Sequence, residues 1–151
     1  MQQSLAAGVD VVEIDRIRSA LTRFGERFLN HIYTDLEIAF CRGRVAELAA
    51  RFAAKEAMMK ALGTGARGIG WREIEILPDR RGKPIVVLHG RAALRATALS
   101  LGQPEISLTH SRSLAMAFVV APCDSVIDPD AVRQDLVGWL ERRKLTSSIP
   151  S

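Results

Sequence analysis

Aromatic side chains are scarce in this sequence, at 5% of its 151 residues. That is too few for the stacking platforms on which single-stranded nucleic acid lies. A dense basic stripe is missing as well. The net charge is only +4, below the footprint of a dedicated nucleic-acid binder. No apolar run approaches the roughly 20 residues of a membrane span. Cysteine occurs twice, at Cys41 and Cys123, without metal-ligand spacing or the density of a disulfide scaffold. Both read as free thiols of a reducing cytoplasm. The opening MQQSLAAGVDVVEID has no basic start and turns acidic at once, unlike a secretory signal. These absences point away from nucleic acid and membrane. A mildly basic surface suits anionic metabolites or an acidic protein partner.

What is present is an ordinary globular composition, 48% apolar and 25% charged, at a length expected for one domain with a proper core. The chain is organised around LAARFAAKEAMMKALGTG, from Leu48 to Gly65. Strong helix formers fill it, and Gly63 is placed to end it. Leu48, Phe52, Met59 and Leu62 fall on one side, and Ala50, Ala53, Ala54, Ala57 and Ala61 on another. A helix apolar on two sides is expected between layers. It nevertheless carries Arg51, Lys55, Glu56 and Lys60. Glu56 and Lys60 have the spacing of an ordinary i, i+4 pair. Lys55 projects within the apolar arc and requires an anion, from the fold or from a ligand.

The remaining elements follow from pattern. Val9 to Ile14 reads as a short strand containing Asp10. Asp15 is placed to cap a helix through Ile17, Ala20, Leu21 and Phe24. If that helix continues past Gly25, Arg16, Arg23 and Arg27 align on one face, either as a solvated stripe or as a docking surface. Thr34 to Glu37 is a capping box. GTGARGIG at Gly63–Gly70 follows a helix rather than preceding one, so the phosphate-loop reading fails. Trp71 to Leu77 and Ile85 to Leu88 form a predicted hairpin around PDRRGKP. A helix over Arg91 to Leu101 and two antiparallel strands, Glu105 to Thr109 and Leu114 to Ala121, complete the order. The class is α+β, with a largely antiparallel sheet against a long central helix. Residues 1–121 form the body. Residues 122–151 form a linker, an amphipathic helix capped by Asp128 and Pro129, and a tail, LTSSIPS, expected to be disordered. The apolar edge of that helix, at Val132, Leu136, Val137 and Leu140, is expected to pack on the body.

Two acids stand in unlikely places, Asp10 and Glu56, and paired carboxylates without Cys or His neighbours suit a hard cation such as magnesium. Magnesium retains waters and phosphate oxygens, which makes a phosphate ester or anhydride the natural third partner.

Six segments, GVDVVEIDRI at Gly8–Ile17, YTDLE at Tyr33–Glu37, ARFAAKEAMMKALGTG at Ala50–Gly65, WREIEI at Trp71–Ile76, GKP at Gly82–Pro84 and SLTHSRSLAMAFVV at Ser107–Val120, occur in one order. Together they resemble the small bacterial holo-[acyl-carrier-protein] synthases, a group of 4′-phosphopantetheinyl transferases. The resemblance covers about residues 5–121 and implies that fold. It implies magnesium-dependent transfer of 4′-phosphopantetheine from coenzyme A to a serine of apo acyl carrier protein, with adenosine 3′,5′-bisphosphate released. It further implies magnesium ligands Asp10 and Glu56, with Glu56 as first candidate for the serine proton and His110 as second. Lys60, Arg51 and Lys55 are implied to hold phosphate oxygens or brace the ligands. Gly63, Thr64 and Gly65 are implied to line the coenzyme A channel, and Gly82, Lys83 and Pro84 its adenine end. Arg16, Arg23 and Arg27 become a docking face for the acidic carrier. A cytoplasmic homotrimer with active sites between subunits is also implied.

Overall fold

The computed structural model describes residues 3–124 and 127–145. Its order is β1 (Ser4–Glu13), α1 (Ile14–Phe24), α2 (Glu26–Ile32), α3 (Asp35–Cys41), α4 (Val45–Ala61), β2 (Ile74–Pro78), β3 (Pro84–Leu88), α5 (Gly90–Ala98), β4 (Glu105–His110), β5 (Leu114–Cys123) and α6 (Pro129–Arg142), with a 3-10 turn at Trp71–Glu73 before β2. The strands form an antiparallel sheet in the order β1-β5-β4 and an antiparallel hairpin, β2-β3. The class is α+β, as the element order implied.

The long helix α4 packs against β1 and β5, and 12 of its 17 residues are buried. Its alanines meet a strand built to match. Ala115, Ala117, Val119 and Ala121 of β5 are buried, while Leu114, Met116 and Phe118 face outward. Small side chains on both partners let the backbones approach closely. Gly8 is where the approach is tightest, since a Cβ there would lie 1.8 Å from the carbonyl oxygen of Ala57. The opposite sheet face, with Leu5, Val9 and Val11 beside Met116 and Phe118, is apolar and uncovered within one chain.

Lys55 finds its anion inside the fold. Its ammonium donates to Glu37 Oε2 at 2.9 Å, to the Trp71 carbonyl at 3.0 Å and to the Ile74 carbonyl, with Lys55 and Glu37 both fully buried. Glu37 also closes the capping box expected with Thr34 and accepts from the Ile76 backbone N–H at 2.9 Å. The implied role of Lys55 at phosphate or beside the metal ligands is therefore corrected: it is a structural cation. Gly63 ends α4 as expected, at φ 70°. The Gly63 N–H reaches the Lys60 carbonyl and the Thr64 N–H the Met59 carbonyl, which is a Schellman close.

Several local expectations are revised. β1 begins at Ser4 rather than Val9, so Asp10 lies well inside a strand. Asp15 does not cap α1; Glu13 occupies that position without a side-chain bond, and Asp15 pairs with Arg18 in the first turn. Gly25 adopts φ 54° and ψ −131°, a conformation open to glycine and closed to a continuing helix. The helix breaks there, and Arg27 belongs to α2 rather than to one stripe with Arg16 and Arg23. Trp71–Glu73 forms a 3-10 turn rather than strand, and α5 ends at Ala98 instead of Leu101. Asp128 does cap α6 and Pro129 opens it. That helix packs on the body less than expected: none of its side chains is fully buried, Val137 and Leu140 are half-buried, and Val132 and Leu136 are exposed. The predicted disordered tail, apart from Leu145, lies outside the described residues.

Gly8→Ala should destabilise the fold by about 3 kcal/mol or more, because the clash is with backbone that cannot rotate away. Urea unfolding of the variant would reveal it, and an unchanged midpoint would contradict this close approach.

Candidate active site

Asp10 sits opposite Ala117 in the β1–β5 register, on the sheet face that meets α4. Its side chain is 11% exposed. Along α4, Glu56 and Lys60 stand one turn apart. Lys60 Nζ does not pair with Glu56; it donates to the Val9 carbonyl at 2.8 Å and to Asp10 Oδ1 at 3.2 Å. The simple i, i+4 reading is thereby replaced by a bond between helix and strand. Asp10 Oδ2 is buried without a hydrogen-bond partner. Glu56 is pushed up to about 7, first by burial, then by a hydrogen bond from its protonated carboxyl to Asp10 and by the negative charge of Asp10, against the pull of Arg16 and Lys60. Two crowded carboxylates with an oxygen left unsatisfied match the donor set of a hard cation. Among the described residues, no group of three His, Cys, Asp or Glu side chains could hold a metal. A cation here must therefore draw its other oxygens from water or a ligand.

Arg51 lies nine residues before Lys60 on the same helix, about 13 Å along the axis. It is 3% exposed, donates to Glu47 Oε2 at 2.7 Å and lies over the Phe40 ring at 4.5 Å. Its Nε is buried and unpartnered. Arg51, Gly82, Pro84, Thr109 and His110 line one cleft of about 280 Å³. Lys60 and Gly63 line a different cleft of about 710 Å³, together with Leu62, Arg95 and Leu101. One chain therefore brings Asp10, Glu56, Lys60 and Gly63 together, and gathers Arg51, Gly82, Pro84 and His110 elsewhere.

Lys83 lies between Gly82 and Pro84. Its ammonium pairs with Glu105 Oε2 at 2.8 Å, and that carboxylate holds its pKa above the ordinary lysine value. The Thr64 hydroxyl turns back to the Gly65 carbonyl at 3.0 Å. Arg16 stands near enough to Glu56 to lower its pKa, so it borders the carboxylate pair as well as solvent. Arg23 lies over the Phe24 ring at 5.2 Å. Arg27 lines a shallow cleft with Phe24, Phe28 and His31. Arg95, whose Nε donates to the Leu62 carbonyl at 3.0 Å, was not singled out from sequence. Nothing in an amphipathic alanine-rich helix distinguishes that arginine from its neighbours.

The family model of the 4′-phosphopantetheinyl transferase superfamily matches residues 6–119. The chain is 49% identical to holo-[acyl-carrier-protein] synthase of Herpetosiphon aurantiacus, over 77% of this chain and 97% of that protein. Among solved structures it resembles the holo-[acyl-carrier-protein] synthase of Neisseria meningitidis, with TM-score 0.71 and 35% identity over 77% and 96% of the two chains. It also resembles the Helicobacter pylori synthase in complex with coenzyme A, with TM-score 0.70 and 28% identity over 76% and 98%.

The carboxylate pair predicts a pH signature in metal-free protein. Glu56 holds its proton to about 7 in the fold against about 4.5 in the unfolded chain. Between those values the folded state binds more protons, so its stability falls as pH rises. Glu56→Gln should therefore gain stability relative to the parent between pH 5 and pH 8, measured by urea unfolding in chelator. An equal difference at both pH values would contradict the crowding.

Proposed function

The chain belongs to the 4′-phosphopantetheinyl transferase superfamily, and we propose that it transfers 4′-phosphopantetheine from coenzyme A to a serine hydroxyl of an apo acyl carrier protein, releasing adenosine 3′,5′-bisphosphate. The carrying observation is the convergence of Asp10 and Glu56 from separate elements, with Asp10 Oδ2 unsatisfied. The donor set fits magnesium, held by Asp10 and Glu56, and the ion when bound would neutralise the bridging phosphates and stabilise the departing one. Lys60 is braced by the Val9 carbonyl and Asp10 and presents its charge to the same phosphates. Glu56 accepts the serine proton, directly or through water. Arg51, with its free Nε, and His110 receive the nucleotide's phosphate in the cleft that Gly82 and Pro84 line. Gly63, Thr64 and Gly65 border the pantetheine path.

Since the two groups of residues lie apart on one chain, the complete site is assigned to a junction between subunits of a homotrimer. The apolar outer face of the three-stranded sheet supports such assembly. In this arrangement His110 would reach a neighbour's carboxylates, which makes it the second choice for the base. Arg16 and Arg23 on α1, with Arg27 on α2, form the docking face for the acidic carrier. Two buried free cysteines agree with a cytoplasmic setting. The transferase body is assigned to residues 1–121, with 122–151 as an appended segment.

Incubation with coenzyme A and apo carrier, followed by weighing of the carrier, tests the reaction. A gain of one 4′-phosphopantetheine with magnesium, abolished by chelator, is expected; no gain would refute the proposal. Asp10→Ala and Glu56→Ala should each lower kcat/KM by about 10²-fold or more while the protein stays folded. Near-parental activity in either would exclude the metal assignment. Arg23→Glu should raise KM for the carrier more than for coenzyme A, and equal effects would remove α1 from docking. Arg23 is the cleaner probe, because Arg16 also acts on Glu56.

A further inference from the structure

Helix α6 lies outside the residues matched by the family model, and while Val137 and Leu140 are half-buried, one apolar edge of the helix stays exposed. Val132, Leu136 and Trp139 are 56%, 55% and 41% exposed. They follow one another at four- and three-residue spacing, and Arg143, lying 4.4 Å over the Trp139 ring, continues the series. This is the seam of a two-helix contact. A helix of 14 residues is marginal in water without a surface to bury against. The glycine at its centre, Gly138, weakens it further.

The charges around the seam select the occupant. Asp128 and Asp130 stand at its N-terminal end, and Arg142, Arg143 and Lys144 at its C-terminal end. Asp135 and Arg142 are seven residues apart and share one flank. A parallel copy would set acidic end beside acidic end. An antiparallel copy sets Asp135 against Arg142 twice, places Leu136 against Trp139, and opposes the helix dipoles. A strongly acidic partner would instead meet three aspartates along half of the helix.

We propose that α6 is a self-association element, pairing antiparallel with α6 of a second copy and so doubling whatever assembly the body forms. The pairing is independent of the reading given for the carboxylate site. Light scattering and sedimentation of the full chain test it. Leu136→Glu, at an exposed position away from the carboxylate site, should halve the particle mass and leave turnover unchanged. Asp135→Arg should likewise lower the mass, and adding Arg142→Glu to it should restore the parental value. An unchanged mass in Leu136→Glu would overturn the proposal, and so would failure of the double substitution to restore it. A raised KM for carrier protein at unchanged mass would overturn it in favour of carrier docking.

Discussion

An ammonium group is fully buried in this protein, and the arrangement of the body follows from how it is satisfied. Burial pushes the Lys55 pKa down and the Glu37 carboxylate draws it back up. Three acceptors converge on one nitrogen, and they belong to α3, to the turn before β2 and to β2 itself. Glu37 in turn accepts from Thr34 and Ile76. The network thus fastens α3 and the β2–β3 hairpin to α4. Such a pair is weak evidence for net stability, since an apolar replacement of both partners often serves as well. Its consequence is geometric: removal of either partner leaves a buried charge, which fixes the register of α4 against its neighbours.

Fixing α4 matters because its other side carries Glu56 and Lys60. Lys55 and Glu56 are adjacent in sequence, so they project about 100° apart, one toward α3 and the hairpin and one toward β1. The second contact is set by size. Gly8 and the alanines of α4 and β5 let β1 approach until Asp10 stands beside Glu56 and Lys60 spans both elements. Larger residues in that seam would hold the two carboxylates apart.

Much of this was legible in the sequence because it depends on local chemistry. The capping box at Thr34, the closing glycine at Gly63, the hairpin and the antiparallel pair β4–β5 are each encoded within a few residues. The demand of Lys55 for an anion was equally plain. Its supplier was not, because Glu37 lies 18 residues away and already had a local role in the capping box. Continuation past Gly25 stayed open for a related reason: an amphipathic pattern runs through it, and only the backbone angles show that the helix has ended. Lys83, in the glycine-lysine-proline motif, meets Glu105, distant in sequence, at the surface. Tertiary partners decided these cases.

The carboxylate pair shows what holding α4 firmly does to the groups on it. Left to themselves, Asp10 and Glu56 repel, and burial makes the repulsion costly enough to keep a proton on Glu56 near neutral pH. A flexible strand or helix would relieve that cost by moving apart. Here the Gly8 contact and the Lys60 bonds on one side, and the Lys55 network on the other, prevent it. The two carboxyls therefore stay close, and the fold accommodates them by keeping one protonated. The rigidity that a structural lysine gives α4 thus reaches the protonation of the glutamate beside it.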